Sequence, residues 1–160
     1  MRENCRNTPK IIQEMDRIFG SKTLYMERTH EGVEVRKKIA KSEAALLPKL
    51  EEELEYLIKQ GVKPENISIL SHYSWKNSVV SDSKKFSIID AYTREEGSIQ
   101  YSSIAGFKGM ENQVVILVLD QVTGPNNKDL LYIGMSRART HLSMVMTERV
   151  EKDLRELLEG

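Results

Sequence analysis

Two long stretches of the chain show the apolar spacing that is typical of helices. The first begins at Pro9, a residue suited to the first turn of a helix, and ends before Gly20. Thr8 precedes this stretch and is a candidate cap for its first backbone amides. The second runs from about residue 41 to 60 and ends at Gly61, a residue type common just after a helix.

Pro48 and an acidic run lie inside the second helical pattern. Because proline has no backbone donor, the helix either begins later than residue 41 or bends at Pro48. The acidic run Glu51, Glu52 and Glu53 follows, and we expect these carboxylates to form the solvent-exposed face of the helix.

Short apolar runs between the helical stretches predict the strands of a parallel sheet. Val114–Leu119 has the aliphatic, β-branched composition of a strand that is buried on both faces. Further strands are predicted at 67–70, 86–89, 99–104 and 141–146, with weaker extended segments at 23–26 and 33–39. Helical patterns at 129–139 and 151–158 complete an alternation of strand and helix, which predicts an α/β fold.

Composition narrows the class of protein. The chain has 160 residues, which is the size of a single domain. Its 24 basic and 24 acidic residues give a net charge of zero, so the simple electrostatic signature of a nucleic-acid or anionic-membrane binder is missing. Cys5 is the single cysteine of the sequence, which excludes an internal disulfide and favours a cytoplasmic location. The longest apolar run is far shorter than the ~20 residues that span a bilayer.

Two patterns that suggest metal or phosphate binding fail on their spacing. His30, His72 and His141 are far apart along the chain, so we interpret them as ordinary surface or loop histidines and predict no metal site. The segment Gly20–Thr23 resembles part of a phosphate-binding loop, but its lysine does not follow the glycine directly and the upstream glycine is missing. We therefore interpret this segment as the turn after a helix.

A segment between two predicted strands has the composition of a binding loop. In Ser103–Glu111, Gly106 and Gly109 bracket an aromatic residue and a lysine. Glycines let the backbone approach a ligand closely, and Lys108 and Glu111 offer charges of both signs. An ordinary turn between strands explains the same residues equally well.

A second informative segment is Leu131–Thr140, which contains Arg137 near the end of a predicted helix. Ligands of α/β proteins gather at the carboxyl ends of the strands, and the planar fork of an arginine delivered there suits phosphate oxygens. The alternative is an arginine that interacts favourably with the dipole at a helix end.

Together the two segments resemble motifs V and VI of superfamily 1 helicases of the UvrD/Rep/PcrA type. Ser103–Glu111 is similar to Thr-x-His-x-x-Lys-Gly-Leu-Glu, and Tyr132–Arg139 is similar to Tyr-Val-Gly-x-Thr/Ser-Arg-Ala-Arg/Lys. Asn4–Thr8 resembles the family's motif IV, Asn-Tyr-Arg-Ser-Thr. Residues 67–71 fall where the family has a strand that leads to a nucleic-acid-facing loop.

The resemblance implies that residues 1–160 form a single domain, the second or C-terminal RecA-like domain of an ATP-dependent DNA helicase, and are part of a longer chain. Such a domain has a mostly parallel sheet with helices on both faces. ATP would bind in a cleft shared with an N-terminal RecA-like domain, which would carry the phosphate loop and most of the Mg²⁺ ligands. Single-stranded DNA is the other expected partner, and the piece alone is expected to be inactive.

The same resemblance assigns roles around the nucleotide. Arg6 and Arg137 would reach the γ-phosphate across the cleft and stabilise the charge that develops during phosphoryl transfer. Gly109 and Glu111 would lie near the nucleotide, with Glu111 on the ribose.

Three further residues, Ser71, Ser103 and Lys108, would face the phosphates of the single strand. The sequence departs from the family pattern at Ala105, where a histidine is usual, and at Cys5, where a tyrosine lies near the adenine. The large inserted subdomain of the UvrD/Rep type cannot fit in the short segment before motif V, so the resemblance is closer to shorter members of the superfamily. Ala105 and the neutral charge leave open a second hypothesis, a non-catalytic RecA-like module that binds nucleic acid or protein.

Overall fold

The computed structural model describes residues 2–4, 8–19, 23–25, 35–90, 95–107, 109–119 and 127–159. The described helices are α1 (Pro9–Phe19), α2 (Leu46–Lys59), α3 (Asn127–Ser136) and α4 (Glu148–Glu159). The described strands are β1 (Arg2–Asn4), β2 (Thr23–Tyr25), β3 (Arg36–Ala40), β4 (Ile67–Ser71), β5 (Ile88–Asp90), β6 (Ile99–Ser103), β7 (Asn112–Leu119) and β8 (Ala138–Thr147).

Six of these strands form one parallel sheet in the order β3-β8-β7-β4-β6-β5, and β1 and β2 form a separate parallel pair. The strand β7 lies inside the sheet, between β8 and β4, as its continuous apolar run predicts. Parallel strands need crossover connections. The helix α3 connects the neighbours β7 and β8, and α2 connects β3 to β4, which are separated by β8 and β7 in the sheet.

Each face of the sheet is covered by helix. Side chains of α1, α3 and α4 pack on one face, where Leu117, Leu142 and Met144 are fully buried. Side chains of α2 pack on the other face, against Ile69 and Ile116. The predicted α/β fold, with a parallel sheet and helices on both faces, is confirmed.

The helix boundaries agree with the sequence signals at most positions. The helix α1 begins at Pro9, but the buried Thr8 hydroxyl has no hydrogen-bond partner among the described residues, so the predicted side-chain cap is wrong. Instead the carbonyl of Thr8 accepts a hydrogen bond from the amide of Ile12 at 3.1 Å. The helix α2 begins at Leu46, which places Pro48 in its first turn, where proline is tolerated. Gly61 has a φ of 93° and ends it as predicted.

The interpretation of the acidic run as a solvated face is wrong for Glu53, which is fully buried. At 100° per residue, Glu53 falls on the same side of α2 as the buried Leu50, Leu54 and Leu57. Its neighbour Glu52 is exposed, as expected.

The predicted helix at 129–139 ends earlier, at Ser136. Arg137 therefore lies in the turn after α3, and Arg139 lies in β8. His141 also belongs to β8 and is buried, so its interpretation as a surface or loop histidine is wrong. The β-branched and apolar residues around it continue the strand, and one polar residue does not interrupt a strand that tertiary contacts stabilise.

Candidate functional site

The segment between β6 and β7 carries the chain from one edge of the sheet to the opposite edge. Ser103 ends β6 at the carboxyl edge, in register with Ser71. Asn112 begins β7 at the amino edge, in register with Ala138 of β8. Ile104 is fully buried in the core, as is Phe107, so they anchor this crossing on the face covered by α1, α3 and α4.

The described candidate residues therefore form two groups. We name Gly109, Glu111 and Arg137 the amino-edge cluster, and Ser71 with Ser103 the carboxyl-edge pair. Ser71 is in register with Val118, six positions along β7 from Asn112. At ~3.3 Å per residue the two groups are separated by roughly 20 Å along the strand direction.

The expected position of Arg137 at the carboxyl ends of the strands is wrong. Arg137 directly precedes β8 and lies at the amino edge, because α3 returns the chain to the start of the next parallel strand. Its carbonyl accepts a hydrogen bond from the Asn112 amide at 3.2 Å, which fixes the backbone of Arg137 to the first residue of β7.

The guanidinium of Arg137 is half-buried and bound to its surroundings through several donors. Its Nε donates to the carbonyl of Ile133 and to Oγ of Ser136, each at 3.2 Å. Nη2 donates to Oγ of Ser136 at 3.0 Å, and Nη1 donates to the carbonyl of Met110 at 3.3 Å. Because Met110 lies between Gly109 and Glu111, this last bond joins the two sequence motifs in space.

The other two members of the amino-edge cluster lie on its exposed side. Gly109 has a φ of 84°, a left-handed conformation that favours glycine, and no described atom lies within 4 Å of the position that a Cβ would take. Glu111 is 38% exposed, with Oε1 at 3.7 Å from Nε of Arg139. An exposed ion pair of this length is weak.

The carboxyl-edge pair uses its hydroxyls within the protein. Ser71 is 3% exposed, and its hydroxyl bonds with the Tyr101 hydroxyl at 2.6 Å and accepts from the amide of Tyr73 at 3.2 Å. The Ser103 hydroxyl is half-buried and accepts from the Gly106 amide at 3.0 Å, which stabilises the turn at the start of the crossing.

A buried polar group lies on the opposite face of the sheet, under α2. The carboxylate of Glu53 accepts from Nε of Arg36 at 2.9 and 3.1 Å and from the hydroxyl of Ser143. The hydrogen bond to Glu53 raises the pKa of Arg36, whose guanidinium also lies 3.7 Å from the ring centre of Tyr56. Burial lowers the pKa of His141, with Glu53 opposing this shift and Arg36 adding to it.

Close packing between α3 and β7 sets the height of the helix above the sheet. A Cβ on Gly134 would lie 2.9 Å from Cδ2 of Leu117 and 3.4 Å from Cδ1 of Ile104. Glycine at this position therefore lets α3 approach β7, and the end of α3 places Arg137 beside Met110.

Some candidates lie outside the described residues, namely Arg6, Lys108 and the departure at Cys5. Sequence reasoning missed Ser136, Asn112 and the carbonyl of Met110, although each contacts Arg137. One signal was available for Ser136: the last carbonyls of a helix lack helical partners, so polar groups next to them bond there.

The described residues contain no group of three or more His, Cys, Asp or Glu side chains that could hold a metal ion. No helix among them is long and apolar enough to cross a membrane.

No protein-family model matches the sequence, and no curated protein matches it. The fold is similar to the crystal structure of the C-terminal domain of a possible DNA helicase from Lactobacillus plantarum WCFS1. The TM-score is 0.67 at 16% sequence identity, over 94% of this chain and 96% of that chain. The fold is RecA-like. The helicase nsp10 from PRRSV also matches, at a TM-score of 0.41 and 15% identity over 89% of this chain and 23% of that chain, and this likeness is too low to support an argument.

Proposed function

We propose that this chain is the C-terminal motor domain of an ATP-dependent DNA helicase or translocase. The observation that carries the proposal is the amino-edge cluster, in which residues of two separate sequence motifs meet through the bond from Arg137 to the Met110 carbonyl. The similarity in fold to the C-terminal domain of a possible DNA helicase, over nearly all of both chains, supports it.

The amino-edge cluster would form one side of an ATP site. Arg137 would approach the γ-phosphate and stabilise the charge that develops during phosphoryl transfer, a role worth about 10³–10⁵ in rate for arginine fingers. The carboxylate of Glu111 would accept hydrogen bonds from the ribose, and the open turn at Gly109 would let the nucleotide approach the backbone. Arg6 is proposed as a second arginine on the phosphates.

The residues of the amino-edge cluster suit a nucleotide better than a metal ion. A guanidinium, a carboxylate and an open glycine turn can bind phosphate and sugar, but the described residues have no cluster of metal ligands. On the family resemblance, we propose that Mg²⁺ is held mainly by an N-terminal RecA-like domain of the same protein, which would also supply the phosphate loop. No step is assigned to Mg²⁺ on this chain.

The carboxyl edge is the proposed contact with single-stranded DNA. Ser103 would face the phosphates, and Ser71, whose hydroxyl is buried, would contribute by holding the adjoining turn. Lys108, which lies outside the described residues, is proposed as a phosphate contact on the resemblance alone. DNA bound at the carboxyl edge would lie roughly 20 Å from the nucleotide. Domain closure on ATP at the amino edge would then also change the position of the DNA contacts at the carboxyl edge.

The full-length gene product that contains this chain tests the proposal. Arg137→Ala should abolish DNA-stimulated ATP hydrolysis and leave the nucleotide Kd within about threefold. Arg155→Ala, which removes an exposed arginine of α4, is the matched control and should leave hydrolysis unchanged. Ser103→Ala should weaken binding of single-stranded DNA and leave nucleotide affinity unchanged. Full turnover by the Arg137 variant would contradict the proposal, as would robust ATP hydrolysis by the 160-residue chain alone.

A non-catalytic RecA-like module that binds nucleic acid or protein is the second candidate function. The internal bonds of the Ser71 and Ser103 hydroxyls favour it, because they reduce the polar groups that the carboxyl edge offers to a phosphate. The gene sequence separates the two candidates. A phosphate loop and an acidic metal-binding motif upstream of this chain favour the motor domain, and their absence favours the module.

A further inference from the structure

We propose that Ser136 is a positioning residue that sets the orientation of the Arg137 guanidinium. The inference deepens the proposed function and rests on it, since Arg137 acts on ATP only if the chain supplies part of an ATP site.

The hydroxyl of Ser136 joins the arginine to its own helix. Its Oγ donates to the carbonyl of Ile133 at 2.7 Å and accepts from Nε and Nη2 of Arg137 at 3.2 and 3.0 Å. One oxygen that receives two donors of the guanidinium anchors that edge of the group, and the bond from Nε to the carbonyl of Ile133 gives the same edge a second acceptor. Ser136 is 8% exposed, so water competes little for these bonds.

The carbonyl of Met110 holds the same guanidinium from a second direction, through Nη1 at 3.3 Å. This carbonyl is itself placed by the turn before it, where the Met110 amide donates to the carbonyl of Phe107 at 2.9 Å. The guanidinium is therefore held between the end of α3 and the loop that carries Gly109 and Glu111.

The end of α3 explains part of this arrangement, since Nε of Arg137 donates to the carbonyl of Ile133, as arginines at helix ends often do. The bonds to Ser136 and to Met110 are additional to it. The dipole attracts a positive charge to the end of a helix but gives the side chain no fixed direction. An arginine whose plane and direction are set before the ligand binds loses less freedom on meeting a phosphate, which is the advantage of a preorganised site. Ser136 supplies this order, and we expect its loss to affect turnover more than binding.

The first experiment uses this chain and needs no activity. In ¹H–¹⁵N spectra of the arginine guanidinium groups, the Nη2 signal of Arg137 is assigned by its loss in Arg137→Lys. Nη2 is followed because it donates to Ser136, whereas Nε also donates to the carbonyl of Ile133. We expect it to exchange with solvent about tenfold faster in Ser136→Ala than in the parent, and Ser136→Thr, which keeps the hydroxyl, to restore slow exchange. Equal exchange in the parent and Ser136→Ala would overturn the inference. If Ser136→Ala does not fold, Ser136→Cys, a weaker acceptor of similar size, is compared instead.

The second experiment measures ATP hydrolysis by the full-length gene product. Ser136→Ala should lower kcat about tenfold with an unchanged KM for ATP, and Ser136→Thr should restore most of kcat. Unchanged kcat in Ser136→Ala, together with lost turnover in Arg137→Ala, would overturn the role of Ser136 and leave the proposed function standing. Retained turnover in Arg137→Ala would overturn the proposed function, and the exchange experiment would still decide whether Ser136 orders the arginine.

Discussion

A single side chain, Glu53, joins the helix α2 to two strands of the sheet. Glu53 of α2 binds Arg36 of β3 and Ser143 of β8, so one carboxylate connects three elements. A fully buried charge is tolerated only when it is paired and hydrogen-bonded, and both conditions hold here.

Glu53→Ala should destabilise the protein, because it removes a buried partner and leaves Ser143 without its acceptor. Loss of one member of a buried pair costs ~3–5 kcal/mol, and Arg36 can partly turn to solvent, so we expect a loss of about 2–3 kcal/mol. Urea unfolding monitored by circular dichroism measures it. Glu52→Ala is the control, since Glu52 is exposed in the same acidic run, and it should change stability by less than about 0.5 kcal/mol. Equal effects of the two substitutions would contradict the assigned role of Glu53.

Residue-level predictions succeeded where the backbone geometry depends on one residue type. Gly61 ends α2 with a positive φ, as the sequence predicts. Of the two alternatives left open by Pro48, the structure shows the later start, with Pro48 in the first turn of the helix. Predictions failed where the outcome depends on a partner far along the chain. The burial of Glu53 requires Arg36 and Ser143, which no local pattern connects to it.

At the level of elements, the close approach of α3 to β7 positions the turn that carries Arg137. The Cβ of an alanine at position 134 would overlap the fully buried Leu117 side chain, although alanine is the better helix former. The helix must then move away from the sheet or Leu117 must leave its rotamer.

Gly134→Ala should therefore lower the free energy of unfolding by about 1 kcal/mol, because overpacking outweighs the gain in helix propensity. Guanidinium unfolding of the single variant, of Leu117→Val and of the double variant tests the cause. Valine lacks the Cδ2 that would clash, so the double variant should lose less stability than the sum of the two single variants. Strict additivity would show that the contact with Leu117 is not the reason.

The elements themselves were largely predictable, since short apolar runs and helical periods give the strands and helices of the sheet. The end of α3 was not, because the apolar and small residues of 131–138 continue a helical pattern into β8. Ala138 instead pairs with Asn112 in the sheet, and this pairing joins residues that are far apart along the chain. The expected edge for Arg137 was wrong for another reason, because a residue between a helix and the next parallel strand lies at the amino edge wherever that helix ends.

For the whole molecule, two buried or half-buried ionisable groups make stability depend on pH. Burial lowers the pKa of His141, so the folded protein holds this imidazole neutral while the unfolded chain takes up a proton below about pH 6.5. Burial alone would raise the pKa of Glu14, but hydrogen bonds from Arg17 and Lys37 outweigh it and lower that pKa. Its contribution to stability is present above about pH 4.5 and is lost as the pH falls through the folded value.

The lowered pKa of His141 and the lowered pKa of Glu14 both predict that the protein loses stability in acid. Urea unfolding at pH 7.5 and pH 5.5 should show the loss of stability that His141 causes. A single titrating group can lower the free energy of unfolding by at most about 1.4 kcal/mol per pH unit. His141→Leu should reduce this loss, because the variant has no imidazole to protonate on unfolding. A variant whose stability falls as steeply as that of the parent would contradict the assignment to His141.

The order of the strands also determines how the sheet meets other protein molecules. β3 and β5 are the outermost strands of the described sheet, and each has one side whose backbone groups make no bond within it. β5 has three residues, too short to template an extended partner, and β3 carries Arg36, Lys37 and Lys38 among its five residues. Short length and positive charge are two ways in which natural sheets avoid growing into aggregates. The described sheet thus ends in a short strand on one side and in a strand rich in basic residues on the other. We expect replacement of Lys37 and Lys38 by apolar residues to favour self-association at that end, while Arg36 is kept as the partner of the buried Glu53.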